Sequence, residues 1–174
     1  MRTFISIDLP KEIIRQIRKI QEKLPEFSGK KTEPENLHLT LKFLGEIPKE
    51  KVEEIRKRLR KIELNEINCE IDNIGFFSPS FIKIIWIHLN GAKELQRTVD
   101  KSLSGLFEKE DRFMGHITIA RVKNIKDKKR FIEELEKIRL EKMNFMIDRF
   151  YLKESVLKPE GAEYKIIEEF NLNK

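Results

Sequence analysis

The chain has 174 residues, 39% of them apolar, enough for one ordinary core or two small lobes. No apolar run reaches the ~18 residues of a membrane-spanning helix, and Met1-Arg2-Thr3-Phe4 enters a strand with no signal-peptide pattern before it, so the cytoplasm is the expected compartment. A net charge of +6 and a pI near 9.3 favour an anionic partner, nucleic acid first, while a charged fraction of 38% also matches the ion-paired surface of a thermophile protein.

In chain order, Phe4 to Leu9 reads as a strand. Pro10 opens a helix that carries Ile13, Ile14, Ile17, Ile20 and Leu24 at helical spacing. A strand follows at His38-Leu39-Thr40-Leu41, then a helix marked by Val52, Ile55, Leu59 and Ile62, and a strand from Ile67 to Phe77. Ile84 to Leu89 is again a strand, and Gly91 precedes a helix with Leu95, Val99, Leu103 and Leu106. His116-Ile117-Thr118-Ile119 is a strand, Phe131, Leu135 and Ile138 mark a helix, and Met143 to Glu154 and Tyr164 to Leu172 close the chain as strands. Ser78-Pro79-Ser80 and Lys158-Pro159-Glu160-Gly161 supply turn chemistry at equivalent hairpins.

The order repeats. From Phe4 to His38 is 34 positions and from Ile84 to His116 is 32. We read a duplicated strand-helix-strand-helix-strand unit, with repeats at about 1–80 and 81–174 forming a single domain. The expected fold is α+β: two lobes related by a pseudo-twofold axis, each an antiparallel sheet with helices on its outer face, with a cleft between the sheets.

Both His-x-Thr segments put an imidazole and a hydroxyl on one strand face and aliphatic residues on the other. His38 and His116 lie 78 positions apart at equivalent places in the repeat, so a pseudo-twofold arrangement brings them together across the cleft. Two imidazoles supply a general acid and a general base, and Thr40 and Thr118 two hydrogen-bond donors, around one substrate without a metal or other cofactor. A metal hydrolase is disfavoured, because the three histidines have no ligand spacing. His88 aligns with Asp8, lacks a threonine partner and reads as structural. Cys69, the only cysteine, excludes an intrachain disulfide and reads as a strand thiol.

On these segments the chain resembles the 2H phosphoesterases, and within them the RNA 2′,3′-cyclic phosphodiesterases of the LigT/ThpR type. The resemblance rests on Arg2 to Ile7, Asn36-Leu37-His38-Leu39-Thr40-Leu41-Lys42-Phe43-Leu44-Gly45-Glu46, the Phe77 to Trp86 hairpin and Gly115-His116-Ile117-Thr118-Ile119-Ala120-Arg121. It covers nearly the whole chain. Gly115 departs from the proline common in the family before the second histidine. The resemblance implies hydrolysis of RNA 2′,3′-cyclic phosphate ends, tRNA fragments among them, to 2′-phosphates. It gives His38 the acid role and His116 the base role, and it implies a reverse activity joining RNA ends through a 2′-5′ bond.

Strict alternation puts Lys42 on the face of His38 and Thr40, at the cleft mouth, as a phosphate-binding cation or a solvated strand end. The same rule sends Phe43 and Arg121 to the helix side. The resemblance instead sets an aromatic and an arginine near the nucleotide at these positions, where a ring stacks on a base and a guanidinium binds phosphate; core packing is the alternative for Phe43. A non-catalytic RNA-binding module would account for the charge but not for the paired His-Thr strands, and a 2H enzyme acting on another cyclic phosphate or on 2′-5′ oligoadenylate is the nearer alternative. A chain that carries both halves of its site is expected to be a monomer.

Overall fold

The computed structural model describes all 174 residues. The strands are β1 (Arg2–Asp8), β2 (Ser28–Lys31), β3 (His38–Glu46), β4 (Ile67–Phe76), β5 (Ile84–Asn90), β6 (His116–Asn124), β7 (Met143–Ile147), β8 (Arg149–Lys158) and β9 (Gly161–Asn171). The helices are α1 (Lys11–Glu22), α2 (Lys49–Leu59), α3 (Lys93–Ser102) and α4 (Lys128–Glu136). Each helix buries an apolar stripe: Ile13, Ile17 and Ile20 on α1, Ile55 and Leu59 on α2, Leu95 and Val99 on α3, Phe131 and Leu135 on α4. This is the helical spacing read from the sequence. Asp127 caps α4 by accepting from the Arg130 amide at 3.1 Å.

The strands form one curled antiparallel sheet in the order β7-β4-β5-β6-β3-β1-β8-β9. Its two halves, β9-β8-β1-β3 and β7-β4-β5-β6, are the two lobes of the expected α+β fold. They meet at a single register pair, Leu39 with Ile117. Beyond it β3 and β6 splay apart, and β2, a strand the sequence reading missed, takes the freed edge of β6 by pairing Lys30 with Arg121 and Lys31 with Ala120. The splay is what opens a cleft between the halves. Ile5, Ile7, Leu39 and Leu41 from one half and Ile85, Ile87, Ile117 and Ile119 from the other are all buried in one core, while Ser6, Asp8, His38 and Thr40, and Trp86, His88, His116 and Thr118, alternate with them onto the cleft face.

The lobes do not coincide with the repeats. β4 pairs with β5 and β7, and β8 pairs with β1 and β9, so each half of the sheet takes strands from both halves of the chain. The stretch from Met143 to Glu154, read from sequence as one strand, is two: β7 ends at Ile147 in one lobe and β8 begins at Arg149 in the other. An unbroken apolar alternation carries no mark of where a strand changes its neighbours.

Candidate active site

The Leu39–Ile117 pair fixes the centre of the cleft. Carrying its antiparallel register one residue either way sets His38 across from Thr118 and Thr40 across from His116. Each imidazole thus has a hydroxyl on its own strand and another on the facing strand. His38 Nδ1 donates to the Asn36 carbonyl at 2.7 Å, and His116 Nδ1 donates to the Met114 carbonyl at 2.8 Å. These matching bonds assign the Nδ1–H tautomer to both rings and turn Nε2 towards the cleft. In the resting site Thr40 Oγ1 donates to His38 Nε2 at 3.0 Å.

The histidines have different surroundings. His38 is enclosed by Phe4 and Tyr164, with ring centroids at 5.2 and 5.1 Å. Burial pulls its pKa down to about 4; the Asn36 carbonyl and Asp8 work against that shift, and Lys153 and Arg121 reinforce it. Asp8, the register partner of His38 on β1, is ion-paired with buried Lys153. His116 forms a T-shaped pair with Phe77, centroids 5.2 Å apart, and its register partner is His88, whose Nδ1 is bonded to Asp72 Oδ1 at 2.8 Å, with Asn90 donating to the second carboxylate oxygen at 2.7 Å. His88 is therefore held by Asp72, in keeping with a structural reading.

Lys42 is corrected by the structure. It does not reach the cleft mouth: it donates to Asp100 Oδ1 at 2.5 Å and to the Glu108 carbonyl at 2.7 Å on the helix side, and both side chains of the pair are only 6% exposed. The cause is a β-bulge. The register of β3 against β1 slips between Thr40 and Lys42, so Leu41 and Lys42 both turn inward and alternation resumes with the opposite phase. β6 slips at the equivalent point, between Thr118 and Ala120, burying Ile119 and Ala120 together. The same reversal leaves Phe43, 72% exposed, and Arg121 on the outside of their strands, against strict alternation. Core packing is excluded for Phe43, whose ring lies 6.3 Å from that of Phe4.

Several supporting residues had little or no sequence signal. Gln21, buried on α1, donates to the Ile119 and Thr32 carbonyls at 2.9 Å and so steadies the β6 bulge. Phe4 and Tyr164 read simply as strand residues, and Lys153 is indistinguishable in sequence from the many surface lysines. Phe77 lay within a segment that carried the resemblance, without a role. Gly115 leaves no room for a side chain, since a Cβ there would lie 2.3 Å from the Leu89 carbonyl oxygen; the close approach that lets Leu89 N bond Gly115 O at 2.9 Å depends on it. Cys69 is buried on β4, and burial pushes its thiol up to about 12, as expected of a packing residue.

A curled α+β sheet with two facing His-x-Thr strands has the form of a 2H-type phosphoesterase. A family model described as LigT like Phosphoesterase matches residues 7–86 and 89–164, and the chain belongs to that family. The RNA 2′,3′-cyclic phosphodiesterase of Methanocaldococcus jannaschii is 37% identical, over 98% of this chain and 100% of its own. That of Thermotoga maritima is 33% identical, over 97% and 94%. The structure of Escherichia coli LigT complexed with 3′-AMP superposes with a TM-score of 0.80 at 24% identity, covering 99% of this chain and 98% of that one, which establishes the shared fold.

Proposed function

We propose that this protein hydrolyses the 2′,3′-cyclic phosphate ends of RNA, such as cleaved tRNA fragments, to 2′-phosphates by two-histidine acid–base catalysis. The observation that supports the reading is the Leu39–Ile117 register, which pairs the two His-x-Thr segments on facing strands. The names of the relatives and the family membership support the same substrate.

In this reading water enters on the His116 side and gives its proton to Nε2, while His38 protonates the departing ribose 3′-oxygen on the opposite side of phosphorus. Each transfer contributes roughly 10² to 10⁴ in rate. His38 is neutral at rest; the negative charge of the bound phosphodiester favours its cation and draws the Thr40 proton from Nε2 to a non-bridging oxygen. Thr118 serves the other non-bridging oxygen, and both bonds strengthen as charge grows in the pentacoordinate transition state. Arg121 neutralises the phosphate and Phe43 stacks on the terminal base. When a ribose 5′-hydroxyl replaces water, the same steps join two RNA ends through a 2′-5′ bond. One chain carries the whole site, so no second copy is needed.

The test is turnover of an end-labelled oligoribonucleotide bearing a 2′,3′-cyclic phosphate, with the retained phosphate position identified. His38→Ala and His116→Ala should each lose at least about a hundredfold in kcat while still binding the RNA, and EDTA should leave the wild-type rate unchanged. A wild-type protein that binds this RNA and never opens the ring would instead be an RNA-binding module. A panel including cyclic mononucleotides and 2′-5′ oligoadenylate separates the neighbouring substrate classes.

A further inference from the structure

A cyclic phosphate end brings one nucleoside to the site, yet large rings flank both histidines. On the His38 side Phe43 stands exposed beside Phe4. On the His116 side the β4–β5 hairpin carries Phe77, 58% exposed, and Phe81, 66% exposed. Exposed phenylalanines on a turn are costly to keep in water, and these are supported from beneath. Phe77 rests on Trp86 with centroids at 5.7 Å and forms a T-shaped pair with His116 at 5.2 Å. Phe81 has Lys83 Nζ above its ring at 4.7 Å from the centroid. The turn is tied at both ends of Ser78-Pro79-Ser80 by a 2.9 Å hydroxyl bond, and Lys128 Nζ donates to the Ser80 carbonyl at 2.6 Å. Aromatic faces interleaved with cations suit a stacked base and its phosphates.

We propose that the β4–β5 hairpin is the acceptor subsite, which binds the nucleoside of a second RNA end with a free 5′-hydroxyl, stacked on Phe81 and Phe77 with Lys83 at its downstream phosphate. This rests on the acid–base reading above. In-line displacement puts the entering oxygen opposite the leaving one, so with the leaving ribose at His38 the entering group lies at His116, next to Phe77. The 5′-oxygen forms a bond to phosphorus as the bond from phosphorus to the 3′-oxygen breaks. The hydroxyl proton passes to His116 Nε2, and His38 gives its proton to the 3′-oxygen. The product is a 2′-5′ phosphodiester, and no further reactant is required. Water needs no contact with Phe81 or Lys83, so this outer part of the hairpin separates joining from hydrolysis.

The discriminating variants are Phe81→Ser and Lys83→Gln, whose side chains pack on each other and not on an imidazole. A short RNA with a 5′-hydroxyl and an unreactive 3′ end is used in two ways: as acceptor for joining to a cyclic-phosphate RNA, and as competitor of that RNA's hydrolysis. Each variant should raise the half-saturating acceptor concentration and the competitor inhibition constant by about tenfold, the loss of one base stack or one phosphate contact, and leave hydrolysis without acceptor within about twofold. The 5′-phosphorylated form of the same RNA should not join. The proposal is overturned if the variants leave both acceptor measurements unchanged, if hydrolysis falls in parallel with them, or if wild-type protein that hydrolyses the ring neither joins nor is inhibited by the 5′-hydroxyl RNA. Absence of wild-type hydrolysis would instead remove the acid–base reading itself.

Discussion

Lys42 and Asp100 form a buried ion pair between β3 and α3 on the side of the sheet away from the cleft. Burial works against the charge on Asp100, but bonds from Lys42, the Glu110 amide and Gln96 outweigh it and hold the carboxyl below the ordinary range. Removing one partner leaves the other charge buried and alone. Lys42→Met should therefore cost about 3 kcal/mol or more in urea unfolding, with kcat of the folded fraction nearly unchanged, and Asp100→Leu added to it should recover much of the loss. A fall in kcat with no loss of stability would return Lys42 to the substrate.

Phe43 and Arg121 each follow a bulge on equivalent strands of opposite lobes. Arg121→Gln should raise KM about tenfold, the scale of one charged hydrogen bond to phosphate, and flatten its salt dependence. Phe43→Ala should raise KM about fivefold, from a lost base stack, with the same salt slope as wild type. Steady-state kinetics at two ionic strengths distinguishes a phosphate contact from a stacking one, and unaltered kinetics for both variants would remove these residues from the site.

The rate should follow a bell-shaped pH curve. For kcat/KM, which reports the free enzyme, the acidic limb should lie near 4, where burial holds His38. For kcat it should move up, because bound phosphate favours the imidazolium. The two imidazoles titrate as a pair, so the profile alone does not say which carries the proton. An activated diester does: on a 3′-deoxynucleoside 2′-(4-nitrophenyl phosphate) the leaving group needs no proton, and only the variant lacking the acid should regain rate.

Stability carries the same signature. Folded His38 binds its proton at about 4 against an ordinary 6.5, so in that window the unfolded chain holds more protons and stability falls as pH drops through it. Below about 4 this contribution is flat. His38→Gln should remove the slope, read as Tm against pH; an unchanged slope would mean that other groups set it.

Gly75 lets the Trp86 indole lie flat on β4, where a Cβ would come within 2.6 Å of Trp86 Cη2. Gly75→Ala should displace the indole, loosen Phe77 above it and weaken the Phe77–His116 contact. Trp86 is the only tryptophan, so its emission should shift to the red as kcat falls. A lower kcat with unchanged emission would place the effect elsewhere.

The His-Thr strands, the four helices and the recurrence of elements were legible because each rests on a local period: two for strands, 3.6 for helices. Phe43, Arg121 and Lys42 were misplaced by strict alternation for one reason, a single extra residue after each threonine, which no side-chain pattern announces and which resets the phase of all that follows. β2 went unseen because Ser28-Gly29-Lys30-Lys31 is exposed throughout and has no apolar face to betray it. The Asp8–Lys153 pair joins residues 145 positions apart and becomes visible only once β1 and β8 are neighbours.

The exchange of strands between the halves of the chain ties them together: residues 1–80 contribute β4 to one lobe, and residues 81–174 contribute β8 and β9 to the other, so neither half can close a sheet by itself. The two sides of the cleft are also unlike: an aspartate–lysine pair flanks one imidazole, and a histidine–aspartate pair the other.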